Sequence, residues 1–116
     1  MNNLKGTKTE KNLMEAFAGE SQARNKYTYY ASKARKDGFE QIAAIFEETA
    51  NNEKEHEERY KKLIENINND LVFSSEGDTI WICRNCGHIV IGKKAPEVCP
   101  ICSHAKSFFE RKANNY

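Results

Sequence analysis

Two sets of metal-binding residue types sit at opposite ends of this 116-residue chain. Toward the C-terminus, Cys83-Arg84-Asn85-Cys86 is followed after twelve residues by Cys99-Pro100-Ile101-Cys102. Two thiolates spaced C-x-x-C in a tight turn can face one metal, and two such turns close a tetrahedral site within a single chain. Zinc and iron both accept that donor set. Zinc would make a structural ribbon, of the kind a short segment needs when it cannot bury a sufficient core. Iron would make a one-electron carrier. The second set is Glu20 with Glu53-Lys54-Glu55-His56. Glu53 and His56 lie three apart and project to the same side of a helix. A carboxylate on an apolar stripe is costly to bury unless it is paired or ligates a cation. A carboxylate-bridged two-metal centre takes a Glu from each of two helices and a Glu-x-x-His from each of two more. One chain holds half of that, so a second copy must supply the rest. The alternatives are a polar interior in which Glu20 or Glu53 pairs with Arg24, or a fully solvated face. Lys54, Glu55 and Glu58 read as a solvated face, and Glu57 stays open because it lies close to Glu53 on the helical wheel.

The elements that would position these groups are two long helices. Thr7-Lys8-Thr9-Glu10 is a capping box for the first. Leu13, Phe17, Glu20, Arg24, Tyr27, Ala31 and Ala34 then recur at three- and four-residue spacing, and Asp37-Gly38 supplies the stop. The second helix carries Ile42, Ile45, Phe46, Thr49, Glu53, His56, Tyr60, Leu63, Ile64 and Ile67 at the same period and ends at Asn68-Asn69-Asp70. Two helices of about 28 residues form a hairpin ~40 Å long, and two helices cannot enclose a core. Each pair leaves a face lined by Leu13, Phe17, Ile42, Phe46, Tyr60 and Leu63, which a second copy would cover. Residues 1–68 are therefore expected to form the helical hairpin, residues 69–78 a linker with Ser74, Ser75 and Gly77, and residues 79–116 a small four-cysteine domain. In that domain Thr79-Ile80-Trp81-Ile82, Ile89-Val90-Ile91 and Phe108-Phe109-Glu110 read as strands. No internal repeat is evident.

A formal charge of +1, from 18 basic and 17 acidic residues, gives no general attraction to nucleic acid or to anionic membrane. No stretch approaches the roughly 18 apolar residues of a membrane span, and no export signal is evident. Four cysteines in two C-x-x-C pairs then point to metal binding in a reducing cytoplasm rather than to disulfides.

Longer motifs add a resemblance. Trp81-Ile82-Cys83-Arg84-Asn85-Cys86-Gly87-His88 and Ala95-Pro96-Glu97-Val98-Cys99-Pro100-Ile101-Cys102 resemble the rubredoxin-type module that ends rubrerythrins. Leu4 to Glu10, Ala16-Phe17-Ala18-Gly19-Glu20-Ser21-Gln22-Ala23-Arg24-Asn25, Gln41 to Ala50 and Asn52 to His56 are similar to the first two helices of that family. The resemblance implies a mainly α fold. A long two-helix hairpin would complete a ferritin-like four-helix bundle by homodimerisation, followed by a small rubredoxin-like four-cysteine β domain. It implies iron on Cys83, Cys86, Cys99 and Cys102, with His88 and His104 outside a metal that four thiolates already saturate. It implies a di-iron centre shared between two chains, with Glu20, Glu53 and His56 as ligands and Tyr27 as an active-site tyrosine. Tyr27 reads equally as a core aromatic with a buried hydroxyl. The chain departs from the family by lacking the second helix pair, in whose place stand residues 68–78. An extra Glu of that pair would correspond by helix symmetry to Ala23, which cannot ligate.

The function implied is reduction of hydrogen peroxide in oxidative-stress defence, with electrons from an external reductase relayed through the four-cysteine iron. Dioxygen reduction and ferroxidase chemistry at the same di-iron site are the enzymatic alternatives. A zinc-ribbon interaction module on a dimerising hairpin is the alternative of another class. The assembly expected is a homodimer or a larger even oligomer, without nucleic acid or membrane as partner.

Overall fold

A computed structural model describes residues 5–112 and residue 116. Leu4 of the motif quoted above lies outside the described residues, as do positions 1–3 and 113–115 of the two expected domains. Helix α1 spans Lys8–Lys36 and helix α2 Glu40–Asn68, each of 29 residues. The Thr7 side chain accepts from the Glu10 N–H at 3.2 Å, and the Glu10 carboxylate accepts from the Gly6 N–H at 2.9 Å. α1 ends in a Schellman closure, with the Phe39 N–H on the Ala34 carbonyl at 2.9 Å and the Gly38 N–H on the Arg35 carbonyl at 3.1 Å. Gly38 sits there at φ +93, where a Cβ would be strained. α2 ends in the same way. The Leu71 N–H reaches the Asn66 carbonyl at 2.7 Å, and Asp70, at φ +55, takes the left-handed position.

Within residues 6–64, which form one compact unit, each helix turns a seven-residue repeat toward the other. On α1 the repeat runs through positions 10, 13, 17, 20, 24, 27, 31 and 34, all buried or half-buried. On α2 it runs through 43, 46, 50, 53, 57, 60 and 64, equally covered. Alternate spacings of three and four keep these positions on one seam. Toward the turn between the helices the seam is closed by small residues, with Ala31 at 2%, Ala43 at 0% and Ala50 at 7% exposure. Its middle carries Glu20, Arg24, Glu53 and Glu57.

The α1 seam is the stripe expected from sequence. The α2 stripe is corrected. Ile42 and Ile45 are 45% and 54% exposed and lie off the seam. Phe46 lies on it, its ring 6.2 Å from that of Tyr27 and 5.5 Å from that of Tyr30. Two apolar stripes adjoin on α2, and only one of them faces α1.

Residues 65–116 belong to the second compact unit. Strands β1 (Ser74–Cys83), β2 (Ile89–Lys94) and β3 (Phe109–Arg111) form an antiparallel sheet in the order β2-β1-β3. Trp81 stands opposite Val90 on one side and Arg111 on the other. It is fully buried among Cys83, Ala95, Cys99 and Phe109, and its indole N–H donates to the Gly92 carbonyl at 3.0 Å. β1 begins five residues earlier than expected, inside the segment read as a linker. Ser74 pairs with Lys94 across a register shift, and the Ala95 N–H donates to the Phe73 carbonyl at 2.9 Å. The partner that makes 74–78 a strand comes from residues some twenty positions later, which local composition does not reveal. Phe108 falls in a single 3-10 turn, Lys106–Phe108, rather than in β3.

Candidate metal centres

The four cysteines come together on two turns of the same build. In the first, the Gly87 N–H donates to the Cys83 carbonyl at 2.8 Å and the Cys83 N–H to the His88 carbonyl at 2.9 Å. In the second, the Ser103 N–H donates to the Cys99 carbonyl at 2.9 Å and the Cys99 N–H to the His104 carbonyl at 2.8 Å. Gly87 and Ser103 occupy equivalent left-handed positions, at φ +81 and +66. The sequence does therefore repeat. Cys-x-x-Cys-Gly-His and Cys-x-x-Cys-Ser-His are two copies of one knuckle, too short to register as a repeat without their shared geometry.

Sulfur separations are 3.7 Å between Cys83 and Cys102 and 3.6 Å between Cys86 and Cys99. A disulfide needs ~2.05 Å, and all four are free thiols. Bonds of ~2.3 Å from one metal to four sulfurs in a tetrahedron give edges of ~3.8 Å, so the arrangement fits a tetrathiolate ion. Protonation points the same way. The His104 backbone N–H, the largest influence on Cys102, draws its thiol down to about 5. At Cys86 the largest single influence, the His88 backbone N–H, also pulls downward. Burial and hydrogen bonds to the other three sulfurs outweigh it, and the thiol is pushed up to about 12. Sulfurs this close do not all ionise unaided, and a cation bound between them would hold all four as thiolates. Cys83 and Cys99 are buried at 1% exposure while Cys86 is exposed, so one edge of the site faces solvent. His88 and His104 contribute backbone carbonyls to the knuckles, and the His104 ring packs on Phe108 at 4.5 Å. Replacing Cys99 by Ala in the full chain is expected to abolish the tetrathiolate visible spectrum and its one metal per chain. The core around Trp81 should melt with it, which near-ultraviolet circular dichroism reads.

The helical set is also assembled. His56 Nδ1 lies 3.7 Å from Glu20 Oε2 and 3.8 Å from Glu53 Oε2, and the candidate ligand atoms all lie within 4.8 Å of one another. Glu20 Oε2 is shielded from solvent and has no hydrogen-bond partner among the described residues. A carboxylate oxygen left so is costly, and a cation between the three groups would relieve it. The side chains of Glu20 and Glu53 are 22% and 23% exposed, that of His56 48%. Tyr27 lies on the same seam, half-buried, and lines a cavity of about 270 Å³ with Gln22, Ala23, Lys26 and Tyr30. Arg24 pairs with neither Glu20 nor Glu53. It donates to Glu57, from Nε at 3.0 Å and Nη2 at 3.4 Å. The signal that would have found this pair is the seam itself, on which Glu57 holds a place and Lys54 does not.

Comparison with known proteins agrees along the chain. The family model described as Rubrerythrin matches residues 11–80, and that described as Rubrerythrin, rubredoxin-like domain matches residues 81–110. Rubrerythrin-1 of Clostridium acetobutylicum is 33% identical over 195 residues, covering 100% of this chain and 100% of that protein. A rubrerythrin of Porphyromonas gingivalis is 31% identical over 188 residues, covering 97% and 94%. A putative rubrerythrin of Methanocaldococcus jannaschii is 38% identical over 109 residues, covering 93% of this chain and 53% of that one. The first two alignments run over more positions than the 116 residues of this chain, so each of those relatives carries a segment with no counterpart here.

Proposed function

The chain belongs to the rubrerythrin family and is a non-haem iron redox protein with a rubredoxin-like domain, and from that premise we propose that it reduces hydrogen peroxide at a di-iron site built by two copies of the chain. The observation that carries this reading is the half-complete ligand set of Glu20, Glu53 and His56, whose histidine opens onto an apolar side of the hairpin.

That side follows from the seam. Just before each seam position of the 43-50-57-64 series on α2 stand Ile42, Thr49, His56 and Leu63. The equivalent positions on α1 are Ala16, Ala23 and Tyr30. In an antiparallel hairpin these two rows flank the seam on the same side. The opposite side is polar, with Glu47, Lys54 and Lys61 on α2, and is bridged by Arg35 to Glu47 at 2.7 Å. A second copy laid on the apolar side by a twofold axis covers Ile42, Leu63 and Tyr30 twice over. At ~1.5–3 kcal/mol per large apolar side chain, that burial favours association. It also brings two copies of the ligand set together, because His56 lies in the covered row.

Two copies each of Glu20 and Glu53 give four negative charges, which two ferrous ions balance. When bound, such a pair of irons supplies two electrons together, the number needed to convert hydrogen peroxide and two protons to two waters. Glu20 and Glu53 would hold the metal at the middle of the seam, and His56 would supply the neutral donor of each half. Tyr27, beside the cavity on the apolar side, offers a hydroxyl donor to a small polar substrate. The exposed edge at Cys86 suits transfer from an external reductase, and the four cysteines would hold an iron able to supply one electron, two per dimer. The reducing thiolate sites suit the cytoplasm, and no helix among the described residues is long and apolar enough to cross a membrane.

The test is anaerobic stopped-flow mixing of the fully reduced, iron-loaded protein with hydrogen peroxide or with dioxygen. Peroxide is expected to oxidise the tetrathiolate iron at least about tenfold faster, which corresponds to a barrier lower by about 1.4 kcal/mol. An equal or faster reaction with dioxygen would replace this reading by dioxygen reduction. Oxidation confined to the helical iron would indicate a ferroxidase. A colourless zinc protein would make the C-terminal unit an interaction module.

A further inference from the structure

Arg24 stands one turn beyond Glu20 on α1, a spacing at which a glutamate and an arginine on one helix readily pair. That pair is not made. The guanidinium instead forks onto both oxygens of Glu57, which stands one turn beyond Glu53 on α2. Three carboxylates lie in the middle of the seam with one permanent cation. The carboxylate outside the cluster of Glu20, Glu53 and His56 takes that cation, while the Glu20 oxygen nearest His56 has no hydrogen bond. From this juxtaposition we infer that Glu57 is a positioning residue that holds Arg24 away from Glu20 and Glu53, and so keeps those two carboxylates available to a metal ion. The inference rests on the reading of Glu20, Glu53 and His56 as ligands.

A guanidinium and a metal ion compete for the same carboxylate lone pairs. Arginine does not escape the contest by losing its proton. Released from Glu57, Arg24 would find Glu20 on its own helix and Glu53 across the seam as its nearest anions. An adjacent arginine stabilises a carboxylate anion by about 1–3 pKa units, and an incoming cation would have to displace it. Charge gives the same result. With Arg24 and Glu57 mutually neutralised, each chain presents two net negative charges at the set, and the dimer presents the four that two ferrous ions need. Without the charge of Glu57 each chain presents one.

The experiment is ferrous titration of the full-length protein against a competing chelator, for wild type, Glu57→Gln, Arg24→Gln and the double variant. Far-ultraviolet circular dichroism and the tetrathiolate spectrum confirm the fold of each. Glu57→Gln is expected to weaken helical iron binding by about tenfold or more, and Arg24→Gln to bind at least as tightly as wild type. The double variant should return to within about threefold of wild type, since removing the guanidinium removes the need to restrain it. If the pair were only a clamp between the helices, both single variants would weaken binding and the double would not recover. That pattern overturns the inference, as does undiminished binding in Glu57→Gln. Should Glu57→Gln lose helix content, Arg24→Gln decides, with undiminished iron supporting the inference and lost iron overturning it. Wild type that takes up no helical iron would overturn the ligand reading itself, which separates that failure from the failure of the role given to Glu57.

Discussion

Ile42→Asp is expected to convert the protein to monomers and to strip iron from the helices, while the four-cysteine iron stays in place. Ile42 is 45% exposed in the single chain and, in the proposed assembly, sits in the row covered by the second copy. A carboxylate there would be buried twice without a partner, a cost of several kcal/mol against an interface built from a handful of apolar side chains. The position is four turns from His56, ~21 Å along the helix axis, so lost iron could not arise from direct contact with the ligands. Lys61→Glu on the polar side is the control and should leave both assembly and iron unchanged. Phe46 does not serve for this test, because its ring packs on Tyr27 and Tyr30 within its own hairpin. Size-exclusion chromatography with light scattering, beside iron analysis, reads both effects. A dimer that persists with full helical iron would show that the second copy lies elsewhere.

Glu53→Ala and His56→Ala should each remove the helical iron almost completely and leave the tetrathiolate spectrum intact. Every substitution acts twice in a twofold site. Glu53→Ala halves the four negative charges that balance two ferrous ions, and His56→Ala removes the neutral donor from both halves. The fold should survive, since Glu53→Ala relieves the repulsion between two like charges gathered around one imidazole and the His56 side chain is 48% exposed. Iron counted per chain, together with the visible spectrum, separates the two centres. Helical iron unchanged in both variants would withdraw these residues as ligands.

How far these features were legible in the sequence differs element by element. The α1 seam was readable, because Leu13, Phe17 and Tyr27 recur at helical spacing on one face and no adjoining row of α1 carries so regular an apolar series. On α2 an inner row through Phe46, Tyr60 and Ile64 adjoins an outer row through Ile42 and Leu63. A period near 3.6 accommodates both, and only the position of α1 separates them. The cysteine set was legible from spacing alone. The knuckles that aim it depend on backbone bonds to His88 and His104 and on left-handed residues at Gly87 and Ser103, of which only the glycine announces itself. The start of β1 was hidden because Ser74 to Asp78 lack strand character and acquire it from β2. Glu20, Glu53 and His56 could be named from sequence, but not the partner of Arg24, since three carboxylates within its reach are equivalent until the helices are packed.

Native mass spectrometry of the iron-loaded protein, with iron counted per assembly, reads whether two chains share the helical irons. A dimer of 13.3 kDa chains carrying four irons is expected, two on cysteines and two shared between the hairpins, with the shared pair leaving together when the dimer is dissociated. A folded single chain that retains a pair of irons on its helices, or a dimer that holds iron on its cysteines alone, would contradict it.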